Sequence, residues 1–255
     1  EFSLIASDET KESPRGIITA VLPRETVLKR PYIANVNLLI LVFAHKNPDP
    51  SPRLITKFLV LAEASGIPFQ VIFNKTDLVS RSRAEQLAAS YRACGYPVMS
   101  TSTLTHLGRM RLQATIKDKV TVFAGPSGVG KSALVNMVAP GLKLVTGSVS
   151  SKIGRGRHTT REVQLLTVKR GSYLADTPGF SQIDLDFIEP PMLAGFFPEF
   201  RPYLNQCKFA TCLHRNEPRC AITAALTAGA ISPERYQAYL DLLEEIQAAW
   251  RNRYR

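Results

Sequence analysis

The sequence predicts an α/β protein: a mostly parallel sheet with helices on both faces, followed by a smaller, mainly helical unit. Three observations carry this. Short apolar runs such as Leu38–Ala44 alternate with segments of helical period, as buried parallel strands alternate with their crossover helices. A glycine-rich loop, GPSGVGKS at residues 125–132, lies between one such run and a helix start. After Ser181 the chain turns rich in Pro, Phe, Cys and His, which marks a second unit.

The elements follow in order. Residues 1–35 open on a polar lead. Ile17, Thr19 and Val21, then Thr26 and Leu28, alternate around a Pro-Arg-Glu turn, which predicts a β-hairpin. A lone hairpin is marginal in water, so it belongs to a larger β unit. Leu38–Ala44 is the first buried strand, and helical spacing follows over 53–65 with Gly66 as C-cap. A strand over 69–73, a helix over 82–94 that stops at Gly95, a short strand over 96–100 and a helix over 105–116 come next. Residues 119–125 form the strand that enters the glycine-rich loop, and strands are expected over 163–168 and 172–176. A closing helix spans 233–251, with Ser232 as N-cap and Pro233 at its first position. Tyr236, Tyr239, Leu240, Leu243 and Ile246 share its buried face.

With 255 residues and 45% hydrophobic residues, a large core is available and global disorder is excluded. The net charge of +11 favours an acidic partner, of which nucleic acid is the common case. No apolar run is long enough to span a bilayer, so no membrane role is expected. The polar start resembles no secretory signal, and a soluble intracellular protein is the default. Three of the four cysteines are close together, which points to metal rather than disulfides. Cys94 reads as small core filling, and His45 and His106 as loop residues without a role.

GPSGVGKS fits the phosphate-loop pattern at every fixed position. Gly125, Gly128 and Gly130 let the backbone curl, so that several N–H groups of the loop Gly125–Pro126–Ser127–Gly128–Val129–Gly130 and of the helix start at Ala133 face phosphate, Pro126 itself having none to give. Lys131 bridges the β- and γ-phosphates, and Ser132 offers its hydroxyl to Mg²⁺. In DTPG, Asp176 can hold a Mg²⁺-bound water and Gly179 can give its N–H to the γ-phosphate. NKTD selects the base: the Asp77 carboxylate can accept from both guanine donors, a pair that adenine lacks. Asn74 can contact the ring edge, and the Lys75 stem can lie along the base or tie to the phosphate loop. STS, Ser100–Ser102, follows the next strand and can place a backbone N–H against guanine O6, with Ser100 and Thr101 as the residues chosen. The base reader precedes the phosphate loop, the reverse of an ordinary GTPase. All parts are present, so one circular permutation explains the order.

The chain resembles the RsgA/YjeQ family of circularly permuted GTPases. The resemblance rests on GPSGVGKS, NKTD, GRGRHTTR, DTPGF, CKFATCLHRNEPRC and SPERYQAYLDLLEEI. It implies an N-terminal OB barrel, a permuted GTPase domain and a zinc domain acting in maturation of the small ribosomal subunit. The expected division is a partial OB-like segment over 1–35, the GTPase domain over 36–185 and the zinc-binding domain over 186–255. A complete five-stranded barrel takes ~60–80 residues, hence "partial". Asn37 departs from the acid expected there.

Cys207, Cys212, His214 and Cys220 form C-x4-C-x-H-x5-C, a closed donor set suited to structural zinc, and the resemblance implies the same. Phe180 stands where Ras-like GTPases carry the water-orienting glutamine. His158 is the candidate replacement, again as the resemblance implies. Thr159 or Thr160, of which Thr160 is favoured, binds Mg²⁺ or the γ-phosphate. The expected protein is a monomeric GTPase that binds the small subunit and its rRNA and hydrolyses GTP to GDP and phosphate, stimulated by the subunit. It works in the cytoplasm, or alternatively the chloroplast stroma. Arg201, Lys208, Arg215 and Arg219 are expected near rRNA phosphates. The rival reading is a GTP-gated RNA-binding assembly module whose hydrolysis is incidental.

Overall fold

The computed structural model describes residues 2–4, 16–18, 24, 26–29, 32–142, 144, 164–169, 171–176 and 185–253. Near the N-terminus, β1 (Phe2–Leu4) pairs antiparallel with β2 (Gly16–Ile18), and β3 (Val27–Lys29) with β4 (Tyr32–Ala34). Among the described residues, the expected hairpin around residues 23–25 is therefore not the pairing. Its two arms belong to different ribbons, because period-2 alternation identifies a strand and not its partner. The polar lead also supplies a strand, β1.

The centre is a six-stranded sheet made of β5 (Leu38–Ala44), β6 (Phe69–Asn74), β7 (Val98–Ser100), β8 (Val120–Ala124), β9 (Gln164–Lys169) and β10 (Ser172–Asp176). Their spatial order is β7-β6-β5-β8-β10-β9. Every pairing is parallel except β9 with β10, an antiparallel edge hairpin. Helices α1 (Pro52–Ser65), α2 (Arg81–Ala93), α3 (Arg109–Ile116) and α4 (Lys131–Val138) cover the faces. Alternation along β5 divides the core. Leu39, Leu41 and Phe43 pack with Phe58 and Leu59 of α1 and Tyr91 of α2. Leu38, Ile40 and Val42 pack with Leu112 of α3 and Leu134 of α4. Ile33 and Val36 join the first of these clusters, so the chain entering β5 is already core.

Local chemistry fixes the helix ends. The Ser51 hydroxyl accepts from Leu54 N–H, Ser80 from Arg83 N–H, and Gly66 closes α1 in the left-handed region at φ 65°. The helix expected from 105 starts later, at Arg109, because residues 103–108 form a loop. Asn37 does have a role: its Oδ1 accepts from Val120 N–H (2.9 Å), and its N–H reaches Val120 O (2.9 Å), so it staples β5 to β8. His45 is likewise no free loop residue. It is buried at the end of β5, its N–H bonds Asn74 O (2.9 Å), and its ring lies 5.5 Å from that of Phe73.

The C-terminal unit builds a third cluster from Leu193, Phe197, Phe200, Ile222, Tyr239 and Leu243, and Val60 of α1 belongs to it. Its helices are α5 (Ala221–Thr227) and α6 (Pro233–Arg253). One buried cation fastens α6 to the sheet domain. Arg235 pairs with Glu199 (2.6 Å) and donates to Thr56 Oγ1 of α1 (3.0 Å) and to the Tyr96 hydroxyl (3.0 Å). Its guanidinium also lies 4.8 Å from the Phe197 ring centre. Around it, Arg53 and Lys57 of α1 hold Glu245 of α6, and Arg201 holds Glu63. Among the described residues, no helix is long and apolar enough to cross a membrane.

Arg235→Ala leaves Glu199 buried without its counter-charge, which costs roughly 3–5 kcal/mol. Denaturant melts should show the C-terminal unit loosened by that amount. The double variant Arg235→Met, Glu199→Gln should recover most of the loss.

Candidate nucleotide site and metal centre

Parallel pairing brings the C-terminal ends of the strands to one edge, the usual ligand crevice of an open α/β sheet. Asn74 ends β6, Ser100 ends β7, Ala124 leads into the glycine-rich loop, and the Asp176 backbone ends β10. α4 begins at Lys131, directly after Gly130 at φ 95°. A Cβ on Gly130 would collide with the Asn74 amide. The Lys131 ammonium donates to the carbonyls of Gly125 and Pro126 (2.7 Å each), and burial holds it below the ordinary lysine value. Ser132 and Ala133 form the first helical turn beside it.

The base-reading stretch is tied to this loop. Asn74 is fully buried. Its Nδ2 donates to Val129 O (2.9 Å), and its Oδ1 accepts from Thr101 Oγ1 (3.1 Å). The Lys75 ammonium donates to Gly128 O (2.7 Å) and to Asn47 O. Thr76 bonds Thr101 O through both its N–H (3.1 Å) and its hydroxyl (2.8 Å). Asp77 is exposed at the mouth, with Oδ1 accepting from Ser102 Oγ (2.5 Å). Ser102 in turn accepts from Thr105 N–H (3.1 Å), and its own N–H bonds Leu107 O (3.2 Å).

The structure thus gathers Asn74, Lys75, Asp77, Ser100, Thr101 and the loop from Gly125 to Ala133 at one edge. One N–H and the oxygen of the Asn74 amide are engaged by the protein, so Asn74 acts as a strut between the loops. Thr101 is buried with its hydroxyl on Asn74, and the residue that bonds the Asp77 carboxylate is Ser102. The signal for Ser102 was present in the tripeptide STS, but counting from the strand could not say which hydroxyl turns toward Asp77. His158, Thr159, Thr160, Gly179 and Phe180 lie outside the described residues, as does the Asp176 side chain.

In the C-terminal unit, one donor atom from each of Cys207, Cys212, His214 and Cys220 falls within 4.8 Å of all the others. His214 Nδ1 lies 3.5 Å from Cys207 Sγ and 3.4 Å from Cys220 Sγ, and the two sulfurs are 3.8 Å apart. A tetrahedral ion with Zn–S ~2.3 Å and Zn–N ~2.0 Å separates its ligands by ~3.5–3.8 Å. The spacing fits. Burial pushes the Cys212 thiol up to about 12, whereas a bound cation favours thiolate. The backbone around the donors is held from two sides. Glu217 accepts from the N–H groups of Leu213 (2.8 Å), Arg215 (2.7 Å) and Asn216 (3.1 Å). Tyr236 and Tyr239 of α6 donate to His214 O (2.7 Å) and Leu213 O (2.9 Å). Ala221 N–H adds a bond to Cys207 Sγ (3.3 Å). Glu217 was not anticipated from sequence.

The sequence profile of the RsgA GTPase family matches residues 21–186. A relative from Alkaliphilus metalliredigens, named small ribosomal subunit biogenesis GTPase RsgA, is 43% identical over 93% of this chain and 81% of its own. One of the same name from Moorella thermoacetica is 45% identical with the same coverage. The crystal structure of YjeQ from Thermotoga maritima is similar at TM-score 0.77 and 36% identity, covering 91% of this chain and 79% of that one. YloQ, described as a circularly permuted GTPase, gives TM-score 0.74 at 33% identity over 96% of this chain and 78% of that one.

Asp77→Asn should weaken GTP binding about 10–150-fold, since a charged hydrogen bond contributes ~1.5–3 kcal/mol. It should raise affinity for xanthosine nucleotides. Ser102→Ala should act in the same direction but less, about 2–10-fold, since it removes a bond that orients the carboxylate and leaves the carboxylate itself in place. Equilibrium titration with fluorescent nucleotides measures both. Equal GTP affinity in wild type and Asp77→Asn removes Asp77 from the base-reading role.

Proposed function

This chain belongs to the RsgA GTPase family, and we propose that it hydrolyses GTP on the small ribosomal subunit as a step in that subunit's maturation. The observation that carries the reading is the buried Asn74 strut, which ties an NKTD base reader to a phosphate loop at one sheet edge. Asp77, oriented by Ser102, reads guanine. The N–H groups of the loop from Gly125 to Ala133 receive the phosphates, and Lys131 exchanges its carbonyl partners for phosphate oxygens. Ser132, with Thr160, would hold Mg²⁺, which would supply charge neutralisation at the phosphates. Gly179 would give its N–H to the γ-phosphate, and Asp176 would hold a Mg²⁺-bound water.

His158 orients the attacking water. Water adds to the γ-phosphorus, the bond to the β–γ bridging oxygen breaks, and GDP and phosphate leave. Phe180 offers no polar atom for that water, so the imidazole takes the role that glutamine has elsewhere. Cys207, Cys212, His214 and Cys220 hold one structural Zn²⁺ with no coordination position left for catalysis. The net charge of +11 suits rRNA, with Lys208, Arg215 and Arg219 of the zinc unit among the contacts. Arg201, whose half-exposed side chain pairs with Glu63, completes that set. The protein works as a monomer in the cytoplasm, where subunits are assembled. Phe180 also favours a second reading, a GTP-gated RNA-binding module with incidental hydrolysis.

GTP turnover with and without purified small subunits separates the two readings: strong stimulation supports the enzyme, and none supports the module. His158→Ala should keep GTP affinity and lower stimulated turnover by ~10²-fold or more. Normal stimulated turnover in that variant removes His158 from the water-positioning role.

A further inference from the structure

A second surface lies beside the guanine reader. The loop between β7 and α3 exposes Leu104 at 77% and Leu107 at 49%, Met110 in the first turn of α3 is 77% exposed, and Leu78, next to Asp77, is 42% exposed. Leu107 and Arg111 also line a groove of about 450 Å³ that runs between α2 and α3 along the β7 edge, with Arg92 on its far wall. Exposed large apolar side chains grouped on one small surface mark an interaction site rather than ordinary surface scatter.

Arginines dominate the charges around the groove, where Glu85 is the one acid among the lining residues. Arg81 and Arg83 stand in the first turn of α2, and Arg109 and Arg111 in the first turn of α3. Neither turn contains an acid. Cations at a helix N-terminus oppose the helix dipole, so these four arginines weaken the helices that carry them. No ion pair among the described residues engages any of the four. The nearby Glu85 is taken by Arg92 (2.7 Å). An anionic partner face would satisfy all of this at once.

We propose that this groove docks a protein of the small subunit, one that presents an apolar side chain flanked by carboxylates. The inference rests on the subunit reading above. Composition selects protein over RNA. The groove and its rim offer Leu104, Leu107 and Met110 beside Arg109 and Arg111, the lining contains no aromatic platform for bases, and Met and Arg are enriched at protein interfaces. The docked face also touches the nucleotide site through two bonds. Leu107 O and Thr105 N–H both bind Ser102, which holds Asp77. Occupancy and guanine affinity are therefore coupled, and the coupling is reciprocal.

The test uses the full, metal-loaded chain with purified small subunits and a non-hydrolysable GTP analogue. Met110→p-benzoylphenylalanine is photolysed after co-sedimentation. The expected product is a ribonuclease-resistant adduct with a ribosomal protein, its peptide bearing Asp or Glu beside the linked residue. The double variant Arg109→Glu, Arg111→Glu should lose about tenfold in subunit affinity at low salt, with GTP affinity of the free protein within about twofold of wild type, a change under ~0.5 kcal/mol. A ribonuclease-sensitive adduct, an adduct with a second copy of this chain, or no adduct despite co-sedimentation each overturns the docking proposal alone. Failure of the wild-type chain to co-sediment overturns the subunit reading, and the proposal with it.

Discussion

The nucleotide site depends on the burial of one amide. β5 lies between β6 and β8, so the base reader and the phosphate loop start two strand spacings apart, ~9.5 Å. An asparagine side chain cannot span that. The phosphate loop has to fold back across the end of β5, and Gly125, at φ 144°, makes this possible. It passes so close to Val42 that a Cβ would overlap the Val42 carbonyl. Val129 O then comes within 2.9 Å of Asn74 Nδ2, and Thr101 Oγ1 closes the other side of the amide. Each of these groups is dry, and an unpaired one costs ~1–3 kcal/mol. The three loops therefore hold their native arrangement together or lose it together.

This explains why the motif order along the chain is immaterial to the site. Asn74 and Val129 are 55 positions apart, and no covalent shortcut joins them. Their geometry is set by parallel registry, with Ala44 opposite Asn74 and Leu41 opposite Ala124. Side chains crossing the strand ends complete it. A permutation changes which loop is cut and leaves registry and struts untouched.

The buried strands were legible because a parallel strand covered on both faces must be apolar throughout, and LLILVFA is. The helices were legible at their caps, where Ser51, Ser80 and Gly66 act locally. Pairing was less legible. Gln164–Lys169 reads like any other strand, and nothing in its alternation says that it turns back antiparallel to β10 at the sheet edge. The ligand quartet of the zinc unit was legible because three thiols and an imidazole so close together have few other uses. Its support was not. Glu217 looks like an ordinary surface acid, yet it gathers three N–H groups of the ligand loop. Arg235 reads as a solvent-facing residue in the first turn of an amphipathic helix. Its burial follows from partners on α1 and before β7 that sequence spacing cannot reveal.

Those partners also change how the zinc unit relates to the nucleotide. From sequence, the unit follows the magnesium-proximal loop directly, and that segment looks like the whole connection. In the fold, α1 provides a second one. Ser51 and Leu54, at its start, line a small cavity with Pro126, Ser127 and Val129 of the phosphate loop. Arg53, Thr56 and Lys57 hold Glu245 and Arg235 of α6. Only ~9 Å of helix separates Ser51 from Lys57 at 1.5 Å per residue. α6 then carries the hydroxyls of Tyr236 and Tyr239 onto the carbonyls of the ligand loop. The phosphate loop is thus joined to the ligand loop by a path of side-chain contacts through α1 and α6. Its buried link is Arg235 with Glu199, a pair costly to separate.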